Sequence, residues 1–454
     1  MSLNSIMDNS LSAMFMSQAG LTTTSHNIAN ADTPGYTRQS NMLAARRPLS
    51  FPFGAIGQGV DVVTVRRSQD RFLLNTLRAQ DARLSSYSAV DSALYEIEQI
   101  LGSIDNDHIG TALNGFFDAW SDLATVPNDP TLKMDVVSRA QALVTDFHTV
   151  SASLDDLERN IETQVQEEIV ALNGLLQQIG ELNSQIMSAE IGGQTANDLR
   201  DQRDLLVNQV SSIASVTVDE REDGSLDIIL AGRTMVTRDS VQQFTTSYQE
   251  SGDGYRMTVL TEGHYAEVDL PEGRLQGLLD SRDIYVNDFR ESMDDVVSRL
   301  VEAVNSLHVQ GTTGSSSGLL FFTGDSLHTI EINSMLTDHP EMVASSRSGE
   351  SGDADIALAI AALRDTAAPG ESLTVGDSYR GVLIDMASKR NSFEFLVDNQ
   401  ASAVAAVESK IASVTGVSLD EEAANMVRYQ NTYAAAARVI STVQEMFDTL
   451  VNMV

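Results

Sequence analysis

The sequence predicts a mainly α protein with a small β subdomain, arranged as an elongated helical bundle flanked by N- and C-terminal coiled-coil helices. Three observations lead there. Apolar residues recur at three- and four-residue intervals over most of the 454 positions. One stretch, 215–270, changes to a period near two. Aromatic residues make up only 6% of the chain, with a single tryptophan, Trp120. That suits helices packed through Leu, Ile, Val and Ala better than a large sandwich core.

Residues 3–28 form the first predicted helix, with Leu3, Met7, Leu11, Met14, Leu21 and Ile28 on one stripe. It stops at Asn30, which tolerates a left-handed backbone, and at Pro34, which cannot continue a helix. Asn30, Thr33, Pro34, Gly35 and Tyr36 form a turn motif, with Pro34-Gly35 suited to the centre of a type II turn. Residues 41–65 read as extended and rich in Pro and Gly, with 57–65 the best strand. Helix returns over 67–102, then 113–124, then 131–190 with expected breaks near Gly174 and Gly180, and again over 196–214. Hairpins follow around Asp223-Gly224 and Ala231-Gly232, with further strands at 255–260 and 265–270. Helix resumes over 274–308, and after a Gly/Ser loop at 311–318 a last helical region runs from 371, interrupted near 415–418.

The last helix carries the sharpest pattern. Ser418 and Glu421 have capping-box spacing. Beyond them Met426, Tyr429, Tyr433, Ala436, Ile440, Val443, Phe447, Leu450 and Val454 alternate intervals of three and four without a slip. An average of 3.5 residues marks a coiled-coil seam, narrower than the apolar face of an ordinary core helix. The seam reaches the last residue given, so a partner is expected to cover it, and the stripe at 3–28 is the matching candidate. The implied organisation is a terminal coiled-coil assembly core (1–40 and 411–454), a helical bundle domain (41–215 and 273–410) and a small β subdomain (216–272).

Charge supports a division of labour along the chain. The formal net charge is −35. Residues 1–105 carry −1, residues 106–399 carry −31, and residues 400–454 carry −3. Near-neutral ends can pack against other chains, whereas the acidic middle suits solvent and repels nucleic acid and anionic lipid. There is no cysteine, which removes disulfides and thiolate chemistry. The first residues lack the basic and apolar regions of a cleaved signal peptide, and no apolar run is long enough to span a membrane.

No catalytic constellation emerges, and no enzyme, cofactor or metal is expected. The Gly314–Gly318 run matches a nucleophile elbow in letters, but it lacks the strand before and the helix after that the elbow needs. Asp105, Asp107 and Gly110 resemble a calcium loop, yet its twelfth position is Phe116 where a glutamate is required. The seven histidines show no i, i+4 pair.

With both ends read, a resemblance becomes specific. The stretch NIANADTPGYTRQ (27–39) resembles the N-terminal signature of the flagellar rod, hook and hook-associated superfamily, and 416–454 resembles its C-terminal signature. Between them 57–78, 112–130 and 197–211 resemble the FlgK family, hook-associated protein 1. The helical middle and Arg428-Tyr429-Gln430 favour that family over hook and rod proteins. In one respect the chain departs from it: the sizeable domain that family members commonly insert after 319–326 is small or missing.

The resemblance implies a structural subunit of the bacterial flagellum at the hook–filament junction, extracellular and exported through the flagellar type III channel without a cleaved signal. It implies self-association in a ring, contact with the hook protein and with a second junction protein, and a cytoplasmic export chaperone at the C-terminal region. Nucleic acid and membrane are not among the implied partners. The alternatives are another secreted coiled-coil filament or adhesin subunit, or a hydrolase using the Gly314–Gly318 serines.

Overall fold

The computed structural model describes residues 3–51, 54–102, 107–251, 254–263, 267–313, 318–350 and 352–452. The protein is mainly α, with small sheets. The chain divides into two compact units: the first comprises 1–84, 168–273 and 400–454, the second 85–167 and 274–399.

In the first unit, α1 (Leu3–Ala29) leads into four short strands. Strand β1 (Gln39–Ala45) pairs antiparallel with β4 (Val60–Arg67), enclosing the ribbon of β2 (Leu49–Phe51) and β3 (Gly54–Ile56). The stretch read as irregular from 41 is therefore half of a β ladder. Exposed residues along β1 hide its period in the sequence, and its partner β4 lies fifteen or more residues on, where local pattern gives no warning.

The start of α2 (Arg71–Leu101), the end of α4 (Pro130–Glu190) and α5 (Asn197–Ile213) supply the helical layer of this unit. Strands β5 (Val216–Glu220), β6 (Leu226–Leu230), β7 (Arg233–Thr237) and β8 (Ser240–Val241) form an antiparallel meander. Strands β9 (Phe244–Ser251) and β10 (Gly254–Thr261) make a separate hairpin. Of the strand expected at 265–270, residues 265 and 266 lie outside the described residues, and Glu267 bridges Leu260.

The sheet is tied to α4 by two asparagines. Asn183 Nδ2 donates to Leu226 O (2.9 Å) and Arg238 O (2.8 Å), while Leu226 N–H donates to its Oδ1 (3.0 Å). Ten residues earlier, Asn173 holds both backbone groups of Phe244 at 2.8 Å. The breaks expected at Gly174 and Gly180 do not occur, and α4 runs unbroken for 61 residues. A mid-helix glycine costs about 1 kcal/mol relative to alanine, which tertiary packing outweighs. A Cβ at Gly180 would lie 2.8 Å from Val241 Cγ2, so this glycine admits the sheet's close approach.

The second unit packs α3 (His108–Thr125), the first part of α4 and α7 (Asn287–His308), which follows α6 (Arg274–Asp280) through a π turn at Ser281–Val286. It also holds β11 (Phe322–Thr323), β12 (Glu331–Ile332), α8 (Ser334–Asp338), α9 (Asp355–Ala362) and the first part of α10 (Val375–Thr415). Asp107, in the stretch that departs from a calcium loop at Phe116, caps α3 by accepting Gly110 N–H at 2.7 Å and also accepts the Tyr379 hydroxyl at 2.7 Å. Asp105 and Gly314–Ser317 lie outside the described residues.

The core here is aromatic: Phe116, Phe117, Trp120, Phe321 and Phe322 are all buried. His308 stands among them, its ring 6.2 Å from Trp120 and 5.4 Å from Phe321. Ala344 N–H donates to its Nε2 (3.1 Å), so Nδ1 carries the proton and donates to Leu319 O (2.8 Å). Protonation would remove the acceptor that Ala344 uses. Burial pushes the imidazole below its ordinary value, so the unfolded chain takes up a proton before the native one does. This contribution to stability is fully present above pH about 6.5 and is lost as pH falls below it. Melting followed by Trp120 fluorescence should shift to lower temperature between pH 7.5 and 5.5, and His308→Gln should flatten that dependence. An equal shift in the variant would assign it to other groups.

Candidate assembly interface

Helices α1 and α11 (Leu419–Asn452) pack side by side within the first unit. The buried residues of α1 are small or polar: Ser10, Ser12, Ser17, Gly20, Thr24 and Asn27. Together with half-buried Ala13, positions 10, 13, 17, 20, 24 and 27 alternate three and four residues, the spacing of a coiled-coil face. Ser10 Oγ donates to Ile6 O (2.9 Å) and Ser17 Oγ to Ala13 O (2.8 Å), so the hydroxyls are satisfied within α1. Small side chains let the backbones approach closely. At Gly20 the closeness is extreme, because a Cβ there would lie 2.6 Å from the Tyr429 ring. Arg38, beyond the C-terminal end of α1, meets the first turn of α11, so the two helices run antiparallel.

The residues singled out in the sequence fall as follows. On α1, Leu3, Met14, Leu21 and Ile28 are half-buried, while Met7 and Leu11 are 38% and 42% exposed. Their stripe sits one position, or about 100°, round the helix from the buried face. On α11, Ala436 and Val443 are buried, Met426, Tyr429, Ile440 and Phe447 half-buried, and Tyr433 and Leu450 exposed. Val454 lies outside the described residues. Phe15, Val427, Val439, Met446 and Val451 add further exposed apolar surface to the pair.

The turn after α1 is held from several sides. Asn30 Nδ2 donates to His26 O at 3.0 Å, and Tyr36 N–H donates to Thr33 O at 3.2 Å across Pro34 and Gly35. Gly35 has φ +77°, as the third position of a type II turn requires. The Tyr36 hydroxyl donates to Asn27 Oδ1 (2.7 Å) and lies 3.1 Å from His26 Nδ1. Burial, with the Asp198, Asp201 and Glu422 carboxylates, raises the phenol far above its ordinary value, so it remains a donor. Asn27 also clasps the backbone of Gln39, donating to its O and accepting its N–H at 2.9 Å each.

Beyond the turn, α5 receives the chain. Thr37 donates its N–H (2.9 Å) and hydroxyl (2.7 Å) to the two oxygens of Asp201, and Gln39 Nε2 donates to Asp198 Oδ1 (2.8 Å). Arg67 Nη1 bridges Asp201 (2.6 Å) and Asp204 (2.9 Å). Arg38 pairs with Glu421 (2.9 Å) and with the buried Glu422 (2.7 Å), so Glu421 is engaged by Arg38 while Ser418 Oγ accepts Glu421 N–H at a long 3.5 Å. Asn27, Arg67, Asp198, Asp201 and Glu422 stand outside the apolar stripes and the turn motif, so neither pattern marks them. One signal was available: Asp198, Asp201 and Asp204 recur every third residue, which places three acids along one side of α5. Among the described residues no three His, Asp or Glu side chains are grouped to hold a metal, and no helix is long and apolar enough to cross a membrane.

Residues 94–322, half of the chain, match the family described as the flagellar hook-associated protein FlgK helical domain. The chain belongs to the FlgK family. The FlgK-type middle is bracketed by two matches on the paired helices: 7–37 to the flagella basal body rod protein family and 410–453 to the flagellar basal body rod FlgEFG protein C-terminal family. Flagellar hook-associated protein 1 of Bacillus subtilis is 26% identical over 97% of this chain and 96% of its own length. That of Salmonella typhimurium is 25% identical over 99% and 100%. The flagellar hook junction protein FlgK from Burkholderia pseudomallei shares the fold with a TM-score of 0.50 at 24% identity, over 55% of this chain and 46% of that one. As a FlgK-family member the chain is a structural, hook-associated component of the bacterial flagellum, a setting in which it associates with other hook components.

Proposed function

We propose that the chain forms the hook–filament junction and that its termini, 1–40 and 411–454, act there as a coiled-coil assembly core. The carrying observation is the α1–α11 pair: it closes through a small-residue seam and leaves larger apolar side chains on its outside. Met7, Leu11, Phe15, Val439, Met446 and Leu450 are each more than a third exposed. A face of that kind is costly for a lone subunit and is suited to burial against other copies in a ring. The near-neutral charge of both ends favours such packing, and the acidic 106–399 region is suited to solvent.

The junction role brings with it two structural neighbours, the hook protein and a second junction protein. Before assembly, an export chaperone covers the C-terminal region, and the chain leaves the cell through the flagellar export channel without a cleaved signal. Ordering of the terminal pair then accompanies assembly, with burial of the outer face offsetting the entropy of ordering.

Growth of filament on purified hooks tests this. Ile440→Asp is expected to abolish addition of the chain to hooks while leaving Trp120-monitored melting of the second unit unchanged. Normal addition by that variant would remove the terminal pair from the assembly surface. Limited proteolysis gives an independent check, since ends as resistant in the free chain as the rest would contradict ordering on assembly.

A further inference from the structure

We propose that an arginine-lined cavity in the first unit, between the start of α2, α5 and β5, is a binding site for a small oxyanion such as inorganic phosphate or sulfate. The cavity measures about 150 Å³ and is walled by Arg67, Arg71, Arg78 and Arg203 with Asp204, Asp219 and Glu220. It adjoins a wider one of about 580 Å³ that shares Arg67, Arg71 and Glu220 and adds Arg66, Arg200 and Asp70. Six arginines thus line two adjoining cavities, four of them the smaller one, in a chain with only 29 lysines and arginines against 64 acids.

Two of the cationic side chains are buried, each with a nitrogen that makes no hydrogen bond, although that of Arg78 is ion-paired with Asp204. Arg78 is 5% exposed and Arg203 1%. Arg78 Nε donates to Asn208 Oδ1 at 2.8 Å, but its buried Nη2 makes no hydrogen bond and stands 3.5 Å from Asp204. Arg203 Nη1 donates to two neutral acceptors, Asn183 Oδ1 (2.8 Å) and Gly224 O (2.7 Å), and its buried Nε has no acceptor. Burial and the neighbouring Arg200 and Arg67 bring the Arg203 guanidinium down to about 10, with the carboxylates of Asp204 and Glu190 acting against them.

Two of the three acids on the cavity wall are already committed, and the third, Asp219, is exposed to solvent. Asp204 is shared by Arg67, Arg78 and Gln69, and Glu220 by Arg71 and Arg200. A buried guanidinium N–H without an acceptor is costly, and an oxyanion supplies several acceptors to a planar donor fork. Bound there, it would accept from those nitrogens of Arg78 on α2 and Arg203 on α5 and tie the two helices together.

Inorganic phosphate is the probe, followed by its 31P signal on titration of the full chain at constant ionic strength, with sulfate as competitor and chloride as control. The expected result is saturable binding displaced by sulfate. Arg203→Lys and Arg78→Lys should each weaken it about tenfold, the loss of one charge-assisted contact worth about 1.4 kcal/mol. Glu220→Gln, which removes a competing carboxylate, should tighten it severalfold, and this arm does not depend on either arginine variant folding. No saturable change in the 31P signal, or one that chloride displaces as well as sulfate does, would overturn the proposal and leave a water-filled cavity. Binding unchanged by all three substitutions would likewise overturn it by placing the anion elsewhere.

Discussion

Arg67→Met should destabilise the first unit by about 3–5 kcal/mol, the cost of stranding one side of a buried ion pair. The side chains of Arg67 and Asp201 are 9% and 6% exposed, so solvent cannot replace the missing charge. Arg67 is buried, which disfavours its charge, yet Asp204 and Asp201 hold its guanidinium above the ordinary value. The Asp201 carboxyl, by contrast, is kept above the usual carboxylate range by burial, with Thr37 and Arg67 only partly opposing this. Without Arg67 it rises further. The native variant then holds a proton that the unfolded chain releases near pH 4, so the variant gains stability relative to the parent as pH falls from 7 toward 5.

Urea unfolding read by hydrogen exchange at α5 amides measures both effects, since Trp120 reports on the other unit. A loss below about 1 kcal/mol, as for an exposed pair, would show that the site is open to water.

Gly20→Leu is the second large effect. A Cβ at this position already falls 2.6 Å from the Tyr429 ring, and a leucine adds three further carbons in the same place. Gly20→Ala should be close to neutral, because the gain of about 1 kcal/mol in helix propensity offsets a ring displacement that half-buried Tyr429 can make. For leucine, overpacking of about 1–3 kcal/mol exceeds that gain, and α1 should separate from α11. The consequence would be failure to join hooks. A double-mutant cycle with Tyr429→Ala tests the cause: in that background Gly20→Leu should lose most of its penalty. Additive penalties would mean that the two residues do not meet.

The two helices were unequally legible. On α11 the 3.5-residue repeat includes Ala436 and Val443, which are buried, and Ile440 and Phe447, which are half-buried. On α1 a weighting by size selected Met7 and Leu11, which remain exposed, and passed over Ser10, Ser17, Gly20 and Thr24. Hydropathy ranks side chains by the area they can bury, whereas a close helix pair selects them by how little space they take. Gly174 and Gly180 misled in the opposite direction. Their cost within a helix is about 1 kcal/mol each, too little to interrupt a 61-residue helix held by Asn173 and Asn183.

The sequence by itself determined the mainly α class, the turn at Asn30–Tyr36, the switch to β at 215 and the absence of thiol chemistry. These follow from local backbone preference, from short-period patterning and from composition, all of which act within a few residues. The tertiary structure alone decided which face of α1 meets α11, why β1 finds β4, and that Asp201, 164 residues from Thr37, receives the chain after the turn. Those outcomes depend on burial and on charges brought together from distant positions. No local window contains both partners, so no local pattern can rank the choices.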